Sequence, residues 1–306
     1  MFKARRPFFS SLGSQIKQLK EMTGAPLMKC KEALNQHSNI EEAIQYLKQK
    51  NLVFAEKKAQ NVSKEGLYSI RENNRAVHVL QVNSETDFVS RNDDFLQFSR
   101  IATEALGNIS ETVFQDGFNQ LSEELLSDIS LADSNLLEAQ KLLTAKIQEN
   151  IKLTDLYNRN LGENEFASWY VHKSFANNMG PSICLLVLRC ASNKQELLKQ
   201  VANNLAVHTF CNSPTYITKN DIPTDLYEEK KQGFISELDD RVKSKGDEIV
   251  NKVIKGKMAK YFDDDVLMTQ EVDFYGEGAT VADYLKEMEK KTNTPIEIVE
   301  YKIFKI

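Results

Sequence analysis

Twice along this chain, two β-type runs are joined by an asparagine-rich turn and followed by an amphipathic helix. The first copy begins at Gly66-Leu67-Tyr68-Ser69-Ile70-Arg71, turns at Asn73-Asn74, and continues through Arg75 to Asn83, with Val77 and Val79 alternating with His78, Leu80 and Val82. Asparagine tolerates the positive φ of a tight turn, so this stretch reads as a hairpin. Phe95, Phe98, Ala102 and Ala105 then mark one face of a helix. The second copy takes residues 166–175 as a strand, Asn177-Asn178-Met179-Gly180 as the turn and residues 182–190 as a more buried strand. Leu197, Val201, Leu205 and His208 give its helix face. This order predicts two related α+β subdomains.

The flanking segments complete the plan. Ile16, Leu19 and Met22 recur at helical spacing before the break at Thr23-Gly24-Ala25-Pro26; Leu27, Cys30, Ala33 and Leu34 give a second short helix. Asn39 is placed to cap a third, with Glu42 set for a capping box and Ile40, Ala43, Ile44 and Leu47 on one face. Three helices this small make a docking module, not a catalytic domain. A charged linker, residues 56–64, follows. Residues 111–148 read as helical and variable, and residues 151–157 as a third strand. Residues 226–262 are almost wholly helical, with an interruption at Lys243-Ser244-Lys245-Gly246, and predict an antiparallel hairpin with Ile249, Val253 and Ile254 along its seam. A short helix over 281–288 and a strand over 296–304 close the chain. The expected divisions are 1–12 (a targeting segment), 13–51 (the helical module), 52–158 (the first subdomain) and 159–306 (the second).

Composition removes several function classes. The 306 residues carry a formal net charge of -5, and neutralising phosphates needs a cationic excess, so direct nucleic-acid binding is not expected. No apolar run approaches the roughly 18–20 residues that cross a bilayer. Cys30, Cys184, Cys190 and Cys211 form no CxxC pair and have no zinc spacing with histidine. Cys184 and Cys190 sit in an apolar run and read as reduced core residues of a reducing compartment. There is no GxxxxGK[ST], no GxGxxG after a strand and no GxSxG. Asp263-Asp264-Asp265 ends a helix and reads as solvated. Neither enzyme activity, nor a cofactor, nor a metal is expected. Residues 1–20 hold Lys3, Arg5, Arg6, Lys17 and Lys20 with no acid, interleaved with Phe2, Phe8, Phe9, Ser10, Ser11 and Ser14. That composition suits a mitochondrial targeting segment; a disordered basic arm is the alternative.

Two segments are specific enough to name a family. Lys20-Glu21-Met22-Thr23-Gly24-Ala25-Pro26-Leu27-Met28-Lys29-Cys30-Lys31-Glu32-Ala33-Leu34 resembles the opening signature of the elongation factor Ts family. Val82-Asn83-Ser84-Glu85-Thr86-Asp87-Phe88-Val89-Ser90-Arg91-Asn92, with Phe95, resembles its Thr-Asp-Phe-Val segment. Weaker likenesses are Lys64-Glu65-Gly66-Leu67, Tyr170-Val171-His172, Val207-His208, and Gly256-Lys257-Met258 with Phe262. The chain departs from the family pattern at Pro26 (usually Gly), Lys29 (Asp), Ser84 (Cys) and Lys173 (Gly), and Pro181-Ser182-Ile183-Cys184 replaces an Arg-Ile-Gly-Val-type strand.

The resemblance implies an N-terminal three-helix UBA-like module, then two sheet-plus-helix subdomains, the second bearing the helical hairpin. It implies exchange of guanine nucleotide on the GTPase elongation factor Tu; the basic, acid-free start sets the expected place as the mitochondrial matrix, and charge and hydropathy set the expectation of neither membrane nor direct nucleic acid. Taken alone, an aromatic at position 88 is either tucked under the next helix or presented to a partner, and Asp87 is a cap or a solvated charge. The resemblance implies that Asp87 and Phe88, flanked by Thr86 and Val89, push against the GTPase near its nucleotide-bound magnesium. His172 matches a histidine of the second subdomain's contact surface; its other reading is an exposed strand residue. His208 reads as a core histidine and His78 as sheet packing. The rival to exchange is a structural subunit of a larger mitochondrial assembly that has lost that activity.

Overall fold

A computed structural model describes residues 12–23, 25–37, 39–243 and 246–306. Most of the expected targeting segment, Gly24 of the first helix break, and Ser244 and Lys245 of the hairpin interruption lie outside the described residues. The fold is α+β, and the chain groups into two compact units: residues 1–160 with 173–181 and 306, and residues 161–172 with 182–305.

The first unit opens with helices α1 (Leu12–Thr23), α2 (Leu27–Gln36) and α3 (Ile40–Lys58). Leu19, Ala25, Cys30, Ala33, Ala43 and Leu47 form their shared core. Pro26 stands at the N-cap of α2 in extended backbone, where a missing N–H is harmless. The Lys29 ammonium lies 5.1 Å from the centre of the Phe54 ring, so this departure from the family pattern has a partner on α3. Asn39 caps α3 by accepting from the Glu41 N–H at 3.0 Å. Glu42 lies 3.8 Å from His37 Nδ1 and closes no capping box. The helix runs past residue 51 to Lys58, taking in the start of the expected linker, because Asn51 and Ala55 are buried.

Strands β1 (Glu65–Asn73) and β2 (Ala76–Ser84) form the expected hairpin. The turn sits one residue later than the expected Asn73-Asn74: Asn73 pairs with Ala76, and Asn74 and Arg75 have φ of 47° and 61°, as a two-residue type I′ turn requires. Helix α4 (Asp93–Val113) follows, then β3 (Gly117–Gln120), α5 (Glu123–Asp128), α6 (Leu136–Ile147) and β4 (Lys152–Asn160). Strand β3 was not legible in a run read as helical. Gly117 at φ 102° breaks the helical pattern, and the Asn119 side chain bonds back to the backbone of Gln115. After β5 (Glu165–His172), which belongs to the second unit, Met179 and Gly180 form a short strand β6 that pairs with β1 where a turn is expected, and the turn is confined to Asn177 and Asn178, the latter at φ 60°. The sheet order is β3-β4-β2-β1-β6, antiparallel throughout. Leu67, Leu80, Val82, Leu153 and Leu156 pack from one face of this sheet against Phe95, Phe98, Ala102 and Leu106 of α4 and Leu136 and Leu143 of α6. Gly66 is required where it stands: at φ 143° a Cβ there would lie 2.1 Å from the Val82 carbonyl oxygen.

In the second unit β5, β7 (Ser182–Arg189) and β8 (Glu297–Lys305) form an antiparallel sheet in the order β5-β7-β8. Strand β5 stops at His172, short of the expected Phe175, because Lys173 adopts φ 50° and a left-handed residue cannot continue a strand. Helix α7 (Gln195–Asn212) packs on this sheet. Next come α8 (Thr224–Ser236), α9 (Asp240–Lys243), α10 (Asp247–Tyr261) and α11 (Val281–Thr292). Leu186, Leu188, Leu198, Val201, Leu205, Leu285 and Met288 share one core; Cys184 and Cys190 are buried and Cys211 is exposed. Helices α8 and α10 pair, with Tyr227 near the start of one stacked on Phe262 just past the end of the other. Their core holds Ile254, Met258 and Phe262, with Val250 and Val253 half-buried. Ile249, expected in that seam, is 44% exposed; α10 begins at Asp247, so its first turn points Ile249 away and brings Val250 inward. The break also starts earlier than expected, at Glu237.

Candidate functional site

The loop from Glu85 to Asn92 joins β2 to α4, and its backbone is bonded almost residue by residue. Phe88 has φ -60° and ψ -39°, and it opens a 3₁₀ turn over Val89–Arg91. The N–H groups of Ser90 and Arg91 donate to the carbonyls of Asp87 and Phe88 at 3.2 and 3.3 Å. Asn92 then caps α4, its Oδ1 accepting from Asp94 N at 2.9 Å and Phe95 N at 3.3 Å. Val89 is buried in the core beneath α4, while Arg91 places its guanidinium 4.9 Å from the centre of the Phe175 ring.

The N-terminal side of the loop is tied to distant segments. The Thr86 N–H and hydroxyl donate to the two carboxylate oxygens of Glu149 at 2.9 and 2.7 Å. Ser84 Oγ donates to the Thr86 carbonyl at 2.8 Å; serine, where the family pattern has Cys, satisfies that acceptor better than a thiol could. Glu85 accepts from Asn150 N at 2.6 Å, from Asn61 Nδ2 at 3.0 Å and from Lys58 Nζ at 3.3 Å. Partial burial would raise the Glu85 carboxyl, but these three donors outweigh it and hold the group below its ordinary value.

On this framework Phe88 is 83% exposed, more than any other large apolar side chain among the described residues. Asp87 beside it is also exposed. Thr86, Asp87, Phe88 and Val89 are thus four consecutive residues with different duties: Thr86 and Val89 are anchored inward, and Asp87 and Phe88 face solvent. An exposed Phe on a mobile loop could fold back onto its own protein. Here the 3₁₀ turn and the buried Val89 hold it outward.

His172, in the other unit, ends β5 opposite Ser182. Its ring stacks on Phe210 with centroids 4.8 Å apart, and its Nδ1 lies 3.2 Å from Tyr170 Oη. The Lys305 ammonium lies over the Phe210 ring, 5.3 Å from its centre. His172 is half-buried. His208 is buried, with Nε2 3.0 Å from Gln270 Oε1, and its burial pushes the imidazole below its usual value despite that bond. His78 is fully buried, and its pKa is likewise lowered by burial.

Sequence reasoning missed Glu149, Asn150, Asn61 and Lys58. Glu149 lies 63 residues from Thr86, and no local spacing signals that pairing. Among the described residues no group of three or more His, Cys, Asp or Glu side chains is arranged to hold a metal, and no helix is long and apolar enough to cross a membrane.

A family model described as elongation factor TS matches residues 85–306. The chain is 30% identical over 293 residues to an elongation factor Ts of Rickettsia felis, covering 94% of this chain and 88% of that one. It is 32% identical over 291 residues to a Paramecium tetraurelia protein named elongation factor Ts, mitochondrial 2, covering 92% and 93%. An elongation factor Ts of Allorhizobium ampelinum is 30% identical over 286 residues, covering 93% and 89%.

Proposed function

The chain belongs to the elongation factor Ts family, and on that premise we propose that it promotes release of GDP from elongation factor Tu. The observation that carries the reading is Phe88: a bulky apolar side chain, almost wholly in water, on a turn whose backbone is fixed. Leaving it exposed forgoes the burial energy of a phenylalanine, about 1.5–3 kcal/mol. A partner that accepts the ring recovers that energy. If it is recovered only when the nucleotide site is disturbed, it lowers the barrier to GDP loss, and each ~1.4 kcal/mol is tenfold in rate. One ring therefore accounts for one to two decades. The Asp87 carboxylate beside it carries a negative charge toward a site that holds magnesium and phosphates. His172 is a secondary contact in this reading, and Val89 acts by anchoring the loop.

Such a protein catalyses no covalent step; it acts by binding two states of a GTPase unequally. Linkage makes the effect mutual. If the factor weakens nucleotide binding, nucleotide weakens binding of the factor by the same ratio, which releases it when GTP arrives. The test is the affinity for elongation factor Tu with and without GDP. The proposal expects binding at least tenfold tighter to the nucleotide-free form. Equal affinity for both would instead favour a subunit that scaffolds without exchanging.

Residence in the mitochondrial matrix completes the proposal. Support comes from the acid-free basic stretch over residues 1–20 and from the mitochondrial name of the Paramecium relative. A reporter fused to that stretch should be imported by isolated mitochondria, and failure of import would remove this part of the reading.

A further inference from the structure

We propose that Glu149 is a positioning residue for the exchange loop, and that with Asn150 it forms a hub linking the pose of Phe88 to the end of α3. The inference rests on the reading of Phe88 given above. Residues 85–86 and 149–150 clasp one another in both directions. Glu149 accepts from the backbone and side chain of Thr86, and Glu85 accepts from the backbone N–H of Asn150.

Asn150 and Glu85 also hold the segment that leaves α3. Asn150 Nδ2 donates to the Asn61 carbonyl at 2.8 Å and the Ala59 carbonyl at 3.4 Å. The Asn150 carbonyl accepts from Ser63 Oγ at 3.0 Å. Asn61 and Lys58 in turn reach the Glu85 carboxylate. Asn150 is buried, so its own bonds are sheltered from competing water.

The geometry explains why Glu149 governs Phe88. By taking both donors of Thr86, one carboxylate fixes the plane of the 85–86 peptide and the Thr86 rotamer together. The Ser84 hydroxyl fixes the next carbonyl. Phe88 begins its turn two residues further on, from a base with no free rotation. Without Glu149, a part-buried Thr86 N–H would have to find water, and the loop would sample other conformations.

The test uses the full-length chain titrated against elongation factor Tu loaded with labelled GDP. Glu149→Gln keeps the shape but removes the charge and presents an amide N–H₂ to one of two donors. The fraction of competent loop should fall about tenfold, so the half-saturating concentration should rise about tenfold. The saturated rate should stay within about twofold, because the bound partner selects the competent loop. Hydrogen exchange of the peptide spanning residues 84–90 should quicken. Thr86→Val, which keeps the N–H but loses the hydroxyl that bonds Glu149, should fall between wild type and Glu149→Gln and provides the test should that variant fail to fold.

Unchanged half-saturation with faster exchange of 84–90, or unchanged exchange of 84–90, would overturn the proposal. So would a fall in both saturated rate and melting temperature with no rise in the half-saturating concentration, the mark of general destabilisation. Phe88→Ala run alongside keeps the two claims apart. If it matches wild type, the Phe88 reading fails, while hydrogen exchange still decides whether Glu149 orders the loop.

Discussion

Two aromatic side chains of this protein meet water on different terms. Phe88 stands on a loop whose backbone is bonded at Thr86, Asp87, Phe88 and Asn92, yet its ring is 83% exposed. His172 sits at a strand end with its ring stacked on Phe210 and its Nδ1 beside the Tyr170 hydroxyl. One side chain is held out by a rigid base and contributes nothing to its own fold. The other is already committed to local packing. A residue of the first kind can be removed at little cost to stability and large cost to a partner interaction; the second shows the reverse.

The sharpest way to break this comparison is Phe88→Ala. It should lower the saturated exchange rate by about one to two decades and leave the melting temperature unchanged. A fall in melting temperature would mean that the ring packs on its own protein. Next in size, His172→Ala should cost about 1 kcal/mol of stability through the lost ring contact, read by chemical denaturation, with exchange reduced by no more than about threefold. A larger loss of exchange than of stability would place His172 beside Phe88 as a direct effector.

Acid separates the cores from the loop. His78 and His208, one in each unit, are held below the ordinary imidazole value of 6.5 by burial. The unfolded chain therefore binds more protons as pH falls below about 6.5, and stability should rise with pH through that region. Their contribution is complete above about 6.5 and is lost progressively below it. The Glu85 carboxyl is likewise held below its ordinary value, but that value is 4.5, so its bonds are complete above 4.5 and fail only as pH falls through its lower folded value. Melting should thus weaken at about pH 5.5 while hydrogen exchange of residues 84–90 stays slow; a melting temperature flat across this range would contradict the assignment. A stability change similar in size and opposite in sign to that at His172, with no expected effect on exchange, lies at Lys173, whose φ of 50° favours glycine. Lys173→Gly should stabilise by about 1 kcal/mol, and destabilisation in a denaturant titration would show that the lysine side chain matters more than its backbone.

The recurring pattern of strand, turn, strand and helix made most of the fold legible, because alternation and asparagine turns are local signals. Asn74 takes the positive φ expected of it, and Phe95, Phe98 and Ala102 face the sheet. Strand β3 escaped because four residues with one glycine carry too little periodicity. The loop itself was named by resemblance, but residue type could not decide whether Phe88 turned in or out. That depends on Val89 filling the core and on Glu149 holding Thr86 from far along the chain. Neither the Glu149–Thr86 bond nor the Glu85–Asn150 bond leaves a mark in spacing, since each joins residues that only the sheet brings together.

The most direct measurement is the rate of labelled GDP release from elongation factor Tu as this protein is titrated in, with Phe88→Ala beside it. The account predicts acceleration that rises with concentration and saturates for the wild-type chain, and that is mostly lost in the folded variant. No acceleration by the wild-type chain, with a GTPase shown to be active, would contradict it, and so would a variant as fast as wild type.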